Sequence, residues 1–186
     1  MNQLPRPRAA ACAVALLALT TFAAAETPPV ASVERVDLTR YAGRWYEIAA
    51  FPMFFQRQCV GDTTADYALR PDGEATVVNR CRTDSGFDQA TGRAWAVAGT
   101  GDAQLKVSFF WPFRSDYWII GLDENYRWAV VGNPNRKYLW ILAGTPELSA
   151  EQLERALQAA RAQGYDLAQL KYTPQGENRD IPLSLP

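Results

Sequence analysis

Residues 43–59 read GRWYEIAAFPMFFQRQC, with five aromatic side chains in one short stretch. The first half, Arg44–Phe51, has the composition of a β-strand, and Pro52 ends it because proline cannot donate to a ladder. The next residues, Met53-Phe54-Phe55, are as apolar as a core segment yet sit in a loop. Such rings either fill a packed interior or surround a cavity built for something else, and the rest of the chain decides between the two.

Downstream, the sequence breaks into short apolar-rich segments with no helical period of useful length. With Arg44–Phe51 they are Thr63–Leu69, Ala75–Arg82, Arg93–Ala98, Gln104–Phe110, Asp116–Leu122, Tyr126–Gly132 and Lys137–Ala143. Turn chemistry separates them: Pro71-Asp72-Gly73, Asp123-Glu124-Asn125 and Gly132-Asn133-Pro134-Asn135 each supply the residues that tight reversals need. In Asp116–Leu122, Tyr117 and Ile119 fall on one face, with Trp118, Ile120 and Leu122 on the other. A strand that is apolar on both faces is covered on both sides.

One strong helix follows Thr145-Pro146. Ser149 and Gln152 form a capping box, Leu153, Ala156, Leu157 and Ala160 form an apolar stripe, and Gly164 stops it. A short strand near Leu170–Tyr172 and a polar tail complete the chain. Eight antiparallel strands with short connections plus one late helix predict an all-β fold, an eight-stranded antiparallel up-and-down β-barrel with a C-terminal α-helix packed outside. Closure removes exposed edges and leaves room for one small ligand. A β-sandwich is the alternative, but its Greek-key crossovers need longer connections than these.

The amino terminus carries Arg6 and Arg8, an apolar run from about Ala9 to Phe22, and Ala23-Ala24-Ala25. This predicts a signal peptide over residues 1–25, cut before Glu26, with Cys12 in the discarded part rather than at a lipid attachment site. The apolar run is shorter than a membrane span requires. Removing it leaves 17 Lys and Arg against 20 Asp and Glu, a net charge of −3, which is no footprint for nucleic acid. The remaining 161 residues suit one domain, here divided into an extension at 26–34, the barrel and helix at 35–174, and a tail at 175–186.

Two cysteines survive, Cys59 and Cys81. An even count in an oxidising compartment reads as a disulfide, with two buried thiols as the alternative. Histidine is absent from the whole chain, which excludes Ser-His-Asp and Cys-His catalysis and histidine-ligated haem or zinc. No zinc-type cysteine spacing exists, so neither a metal nor a cofactor is expected.

Gly43-Arg44-Trp45-Tyr46-Glu47-Ile48-Ala49 resembles the Gly-x-Trp signature of the lipocalin family, and Ser115-Asp116-Tyr117 resembles its second signature. Leu105–Ile120 and Tyr138–Pro146, with the helix after them, are similar to the bacterial outer-membrane subgroup and, more distantly, to apolipoprotein D. The resemblance covers nearly all of residues 35–174. It implies a lipid-binding barrel open at one end and plugged at the other by Trp45, with Arg40 and Tyr41 at the plugged end. One departure stands out: Gly144 occupies the position where the family places an arginine over the signature tryptophan.

Alternation and resemblance together nominate Tyr67, Val77, Asn79, Trp95, Phe109, Tyr117, Trp128, Tyr138 and Trp140 as cavity-lining residues, with Phe54 and Phe55 at the mouth. The implied partner is a fatty acid or lysophospholipid. The implied setting is the periplasm, with peripheral association with the outer membrane; the sequence leaves monomer or homodimer open. Two other classes of function remain: an enzyme using a cavity carboxylate such as Glu47 or Asp66, and an interaction module using the Phe51–Phe55 rim. Asn79, Arg80, Arg82 and Arg93 are candidates to meet a headgroup.

Overall fold

The computed structural model describes residues 27–176. The proposed signal peptide, Cys12, and the tail beyond Gly176 lie outside the described residues.

The chain enters through residues 27–37, which pack against the barrel, with Val33 N–H bonded to Ile119 O at 2.8 Å. Helix α1 (Leu38–Tyr41) is a single turn capped by Asp37, whose carboxylate accepts from the backbone N–H groups of Thr39 and Arg40. Then come β1 (Gly43–Ala50), a 3-10 turn at Phe54–Gln56, β2 (Gly61–Leu69), β3 (Ala75–Thr83), β4 (Gly86–Ala96), β5 (Gln104–Phe110), β6 (Phe113–Leu122), β7 (Trp128–Gly132) and β8 (Leu139–Ala143). Helix α2 (Ala150–Ala162) and the two-residue β9 (Lys171–Tyr172) follow. The strands pair antiparallel in sequence order, β8 returns to β1, and β1 also pairs with β2, so the sheet closes into the expected up-and-down barrel. The capping box at Ser149 and Gln152 is present, and Gly164 ends the helix region with φ +77°.

Closure between β1 and β2 is incomplete along its length. Only Gly43–Tyr46 pair with β2. Beyond a bulge between Glu47 and Ala49, β1 leaves β2 and the segment after β9 fills the gap. Thr173 N–H bonds to Ile48 O, Asp62 N–H bonds to Pro174 O, and the Gln175 amide donates to both Glu47 O and Thr63 O. This C-terminal strap satisfies backbone groups that would otherwise be open edges.

Two apolar clusters divide the core. One lies inside the closed half of the barrel, around Tyr41, Trp45, Tyr67, Val77, Leu105 and Ile119; the other lies outside, where Phe51, Ile120, Val130, Ile141 and Leu157 pack beneath α2. Strand β6 serves both, as the sequence predicts, but a bulge between Ile119 and Gly121 resets its alternation and returns Leu122 to the inner cluster. Gly121 is needed there, since a Cβ would lie 2.8 Å from Ala159 of α2.

Strand β4 is longer than the sequence suggests. Apart from Phe87, residues 86–92 are polar or small, and they are mostly exposed, so they carry no apolar run, yet they pair in full register with β3. Cys59 and Cys81 form a disulfide with Cα atoms 5.5 Å apart, fastening the loop after β1 to the end of β3.

Candidate functional site

The open half of the barrel encloses a cavity of about 560 Å³, in the range of small-molecule sites. Strand alternation builds its wall: Tyr67 on β2, Val77 and Asn79 on β3, Val107 and Phe109 on β5, Tyr117 on β6, and Trp140 and Leu142 on β8 all face it, joined by Tyr138 just before β8. Phe54 and Phe55 reach its mouth from the 3-10 turn, beside Phe110 and Phe113 from the β5–β6 hairpin. Rings run in contact from wall to rim, Trp140 to Tyr138 at 5.9 Å, Tyr138 to Phe55 at 5.7 Å, and Phe55 to Phe54 at 5.2 Å.

Two of the nominated residues are not in the cavity. On β4 it is Ala94 that enters the inner cluster, so Trp95 faces the other way. On β7, Ala129 and Val131 point inward, and Trp128 packs outside with the α2 cluster. The closed half is already occupied by Tyr41, Trp45 and Tyr67, and small residues are what fit opposite them. The Phe51–Phe55 rim also shrinks: Phe51 and Met53 are buried, with Phe51 5.9 Å from Tyr165, and only Phe54 and Phe55 reach the mouth.

Trp45 lies below the cavity floor. Its indole N–H donates to Tyr41 O at 2.7 Å, and the Tyr41 ring stacks on it at 4.7 Å. Arg40 donates to Glu124 O and places its guanidinium 4.1 Å from the Tyr126 ring centre, closing the same end. Gly144 borders open space here: a Cβ added to it would meet its nearest neighbour, Tyr126 O, at 3.9 Å.

The cationic candidates separate by location. Arg82 pairs with buried Asp62 at 2.7 Å, and Arg93 pairs with Glu74. Arg80 borders the cavity, 4.3 Å from the ring centre of Phe87, and Arg114 stands at the mouth.

Of the two candidate carboxylates, Asp66 points away from the cavity into a bidentate pair with Arg44, both contacts 2.8 Å. Glu47 faces the cavity and is buried. One of its oxygens accepts from Thr173 Oγ1 at 2.6 Å, the other from Gln56 Nε2 at 3.0 Å, and Gln56 Oε1 accepts the Trp140 indole N–H at 3.3 Å. Burial pushes the Glu47 carboxyl above its ordinary value of 4.5, and the Thr173 and Gln56 hydrogen bonds pull the other way. An acid whose folded pKa is raised binds more protons in the native state, so its contribution to stability falls as pH rises from the unfolded pKa through the folded one. Wild type minus Glu47→Gln unfolding free energy, measured across that window, should therefore fall with rising pH; a flat or rising difference would contradict the assignment.

Only half of the Glu47 network is legible in sequence. The carboxylate stands in the first strand's inward alternation, but its partners come from the loop after β1 and from a strap 126 residues away in sequence, and no local pattern marks either.

Comparison with known proteins agrees with this architecture. Residues 36–175 match the model of the lipocalin-like domain. The chain is 40% identical over 179 residues to outer membrane lipoprotein Blc of Escherichia coli K12, covering 94% of this chain and 98% of that protein. It is 37% identical to temperature-induced lipocalin-1 of Arabidopsis thaliana, covering 78% and 82% respectively. With apolipoprotein D of Macaca fascicularis it shares 32% identity, over 80% of this chain and 81% of that one. Among solved structures, insecticyanin of Manduca sexta superposes with a TM-score of 0.67 at 20% identity, covering 82% of this chain and 87% of that one. The eight-stranded barrel, the tryptophan plug and the family match together show that this chain belongs to the lipocalin family.

Proposed function

We propose that this protein is an exported, non-catalytic lipid carrier of the cell envelope, which holds one fatty acid or lysophospholipid chain in its cavity and serves membrane maintenance from the periplasm. The observation that carries this reading is the open, aromatic-lined cavity of about 560 Å³. The disulfide and the 40% identity to a protein named an outer membrane lipoprotein support the setting.

The mechanism is transfer of an acyl chain from water into apolar surroundings, favourable by up to about 0.8 kcal/mol per buried CH₂ before ordering costs. A headgroup ion pair at the exposed mouth adds only about 0–1 kcal/mol. The tail sets affinity and the head sets orientation. Affinity should rise with acyl length until the chain meets the Tyr67–Tyr117 layer above Trp45, then level off. Native mass spectrometry of freshly purified protein should find intact lipid bound. An empty barrel that also fails to bind any member of an acyl series would overturn the reading. A carboxylate enzyme is the weaker alternative, since both Glu47 oxygens are already engaged by Thr173 and Gln56.

The rim supports peripheral contact with a membrane. Phe110, Trp111, Phe113 and Phe54 are 75%, 73%, 70% and 68% exposed, a cluster of apolar rings that water does not favour. All but Trp111 border the cavity mouth, so a chain leaving the bilayer there would enter the barrel without crossing water. Indole and phenyl rings suit the headgroup boundary, and Arg114 suits anionic lipid. Replacing Trp111 and Phe113 together by serine should weaken binding to phosphatidylglycerol-containing vesicles at least about tenfold. Because both rings are exposed, the unfolding midpoint should barely move. Unchanged cosedimentation would remove the rim from membrane contact and leave the cavity reading standing.

A further inference from the structure

The floor of the cavity is not purely apolar. Tyr67 and Tyr117 line it, and Tyr41 meets them from below. Tyr67 Oη donates to Tyr117 Oη at 2.8 Å, and the hydroxyls of Tyr41 and Tyr117 are also 2.8 Å apart. Three hydroxyls bring three protons, and these two bonds use two of them. If Tyr41 donates to Tyr117, the Tyr117 proton is left for the cavity. If Tyr117 donates to Tyr41, the spare proton is that of Tyr41, below the floor, and lone pairs on Tyr117 and Tyr67 are left for the cavity. Either way the floor keeps hydrogen-bonding capacity directed at whatever fills the space above it.

A floor of phenyl rings would seal the barrel without this deficit, because burying a hydroxyl is costly unless its hydrogen bonds are made. The floor is also uncharged, since burial pushes all three phenols above their ordinary range. The arginines that border the cavity, Arg80 and Arg114, stand toward the mouth. An anionic end therefore belongs at the rim, and only a neutral oxygen suits the bottom. From Phe113 at the mouth to Tyr117 at the floor is four residues of β6, roughly 13 Å at 3.3 Å per residue, a distance that an extended medium-length chain can span.

We propose that the Tyr41–Tyr67–Tyr117 cluster is a subsite for a neutral oxygen, a hydroxyl or keto group, carried on the inner end of an otherwise apolar ligand. The inference rests on the carrier reading above and narrows its cargo to chains oxygenated at the end remote from the charged head.

The test is a binding cycle with dodecanoic acid and ω-hydroxydodecanoic acid as probes, titrated calorimetrically against the wild type and Tyr117→Phe. Comparing the two proteins cancels the different cost of removing each acid from water. Tyr117→Phe should weaken the hydroxylated acid about fivefold to tenfold more than it weakens dodecanoic acid. Retained binding of dodecanoic acid shows that the variant is folded. Tyr67→Phe, which removes the donor to Tyr117, should shift the same ratio in the same direction and serves if Tyr117→Phe does not fold. Equal changes for both acids, or no change for either, would make the cluster a structural floor only and leave the carrier reading intact. If the wild type binds neither acid, this subsite falls, and the carrier reading falls with it only if the barrel is also empty and the rest of the acyl series fails to bind.

Discussion

Trp45→Ala will lower the free energy of unfolding by about 3–5 kcal/mol, the cost of truncating a large ring in a filled core, and Trp140→Ala will cost much less. The two side chains lie on neighbouring strands, β1 and β8, and are the same residue type. Trp45 is enclosed by the Tyr41 ring and the inner cluster, so its removal leaves a void. Trp140 already borders open space, and its removal enlarges a cavity that exists. Its loss gives up a share of ring contacts and the bond to Gln56, about 1–2 kcal/mol, while acyl affinity drops about tenfold or more. Denaturant unfolding and acyl titration on both variants separate the cases. If Trp140→Ala is as destabilising as Trp45→Ala and leaves binding untouched, the aromatic wall is ordinary core.

Breaking the Cys59–Cys81 bridge should cost about 3 kcal/mol. The cysteines are 22 residues apart, and the chain-entropy model assigns roughly that much to closing such a loop, with the enthalpic part model-dependent. The loop includes β2, so the loss should appear in global unfolding. The bridge also holds the segment carrying Phe54 and Phe55 against β3, so ligand dissociation should quicken as the rim loosens. Unfolding midpoints with and without reductant measure the first effect, and stopped-flow displacement measures the second. Protein isolated under oxidising conditions whose midpoint ignores reductant would refute the stabilising role.

The strands are legible wherever apolar residues meet turn chemistry, because a barrel wall with core on both sides writes its strands as apolar runs. Residues 86–92 are illegible for the complementary reason: that half of β4 is mostly exposed and held by its ladder with β3. For the site, alternation places Tyr67, Val77, Asn79, Phe109, Tyr117, Tyr138 and Trp140 on the cavity wall, where the structure has them. It fails at Trp95 and Trp128, where the alternation has the opposite parity: Ala94 on β4 and Ala129 and Val131 on β7 enter the inner cluster, and Trp128 packs outside. Bulges add a second source of error. The shift in β6 at Ile119/Gly121 changes which face later residues take, and one extra residue in a strand leaves no mark in composition. The tyrosine floor joins α1, β2 and β6, and that convergence belongs to the closed fold alone.

The strap between β1 and β2 sets an order of events. Glu47 receives its Thr173 bond from 126 residues downstream, and the Glu47 carbonyl receives Gln175 from 128 downstream. A chain is synthesised amino end first, so the first strand waits for residues 173–175 before its open side is sealed. Contacts this distant in sequence form late. Until they do, the aromatic wall has a slit along one side and cannot keep water from an acyl chain. Under the carrier reading, a ligand is retained only once residues 173–175 have docked, which makes this strap the contact that closes the container.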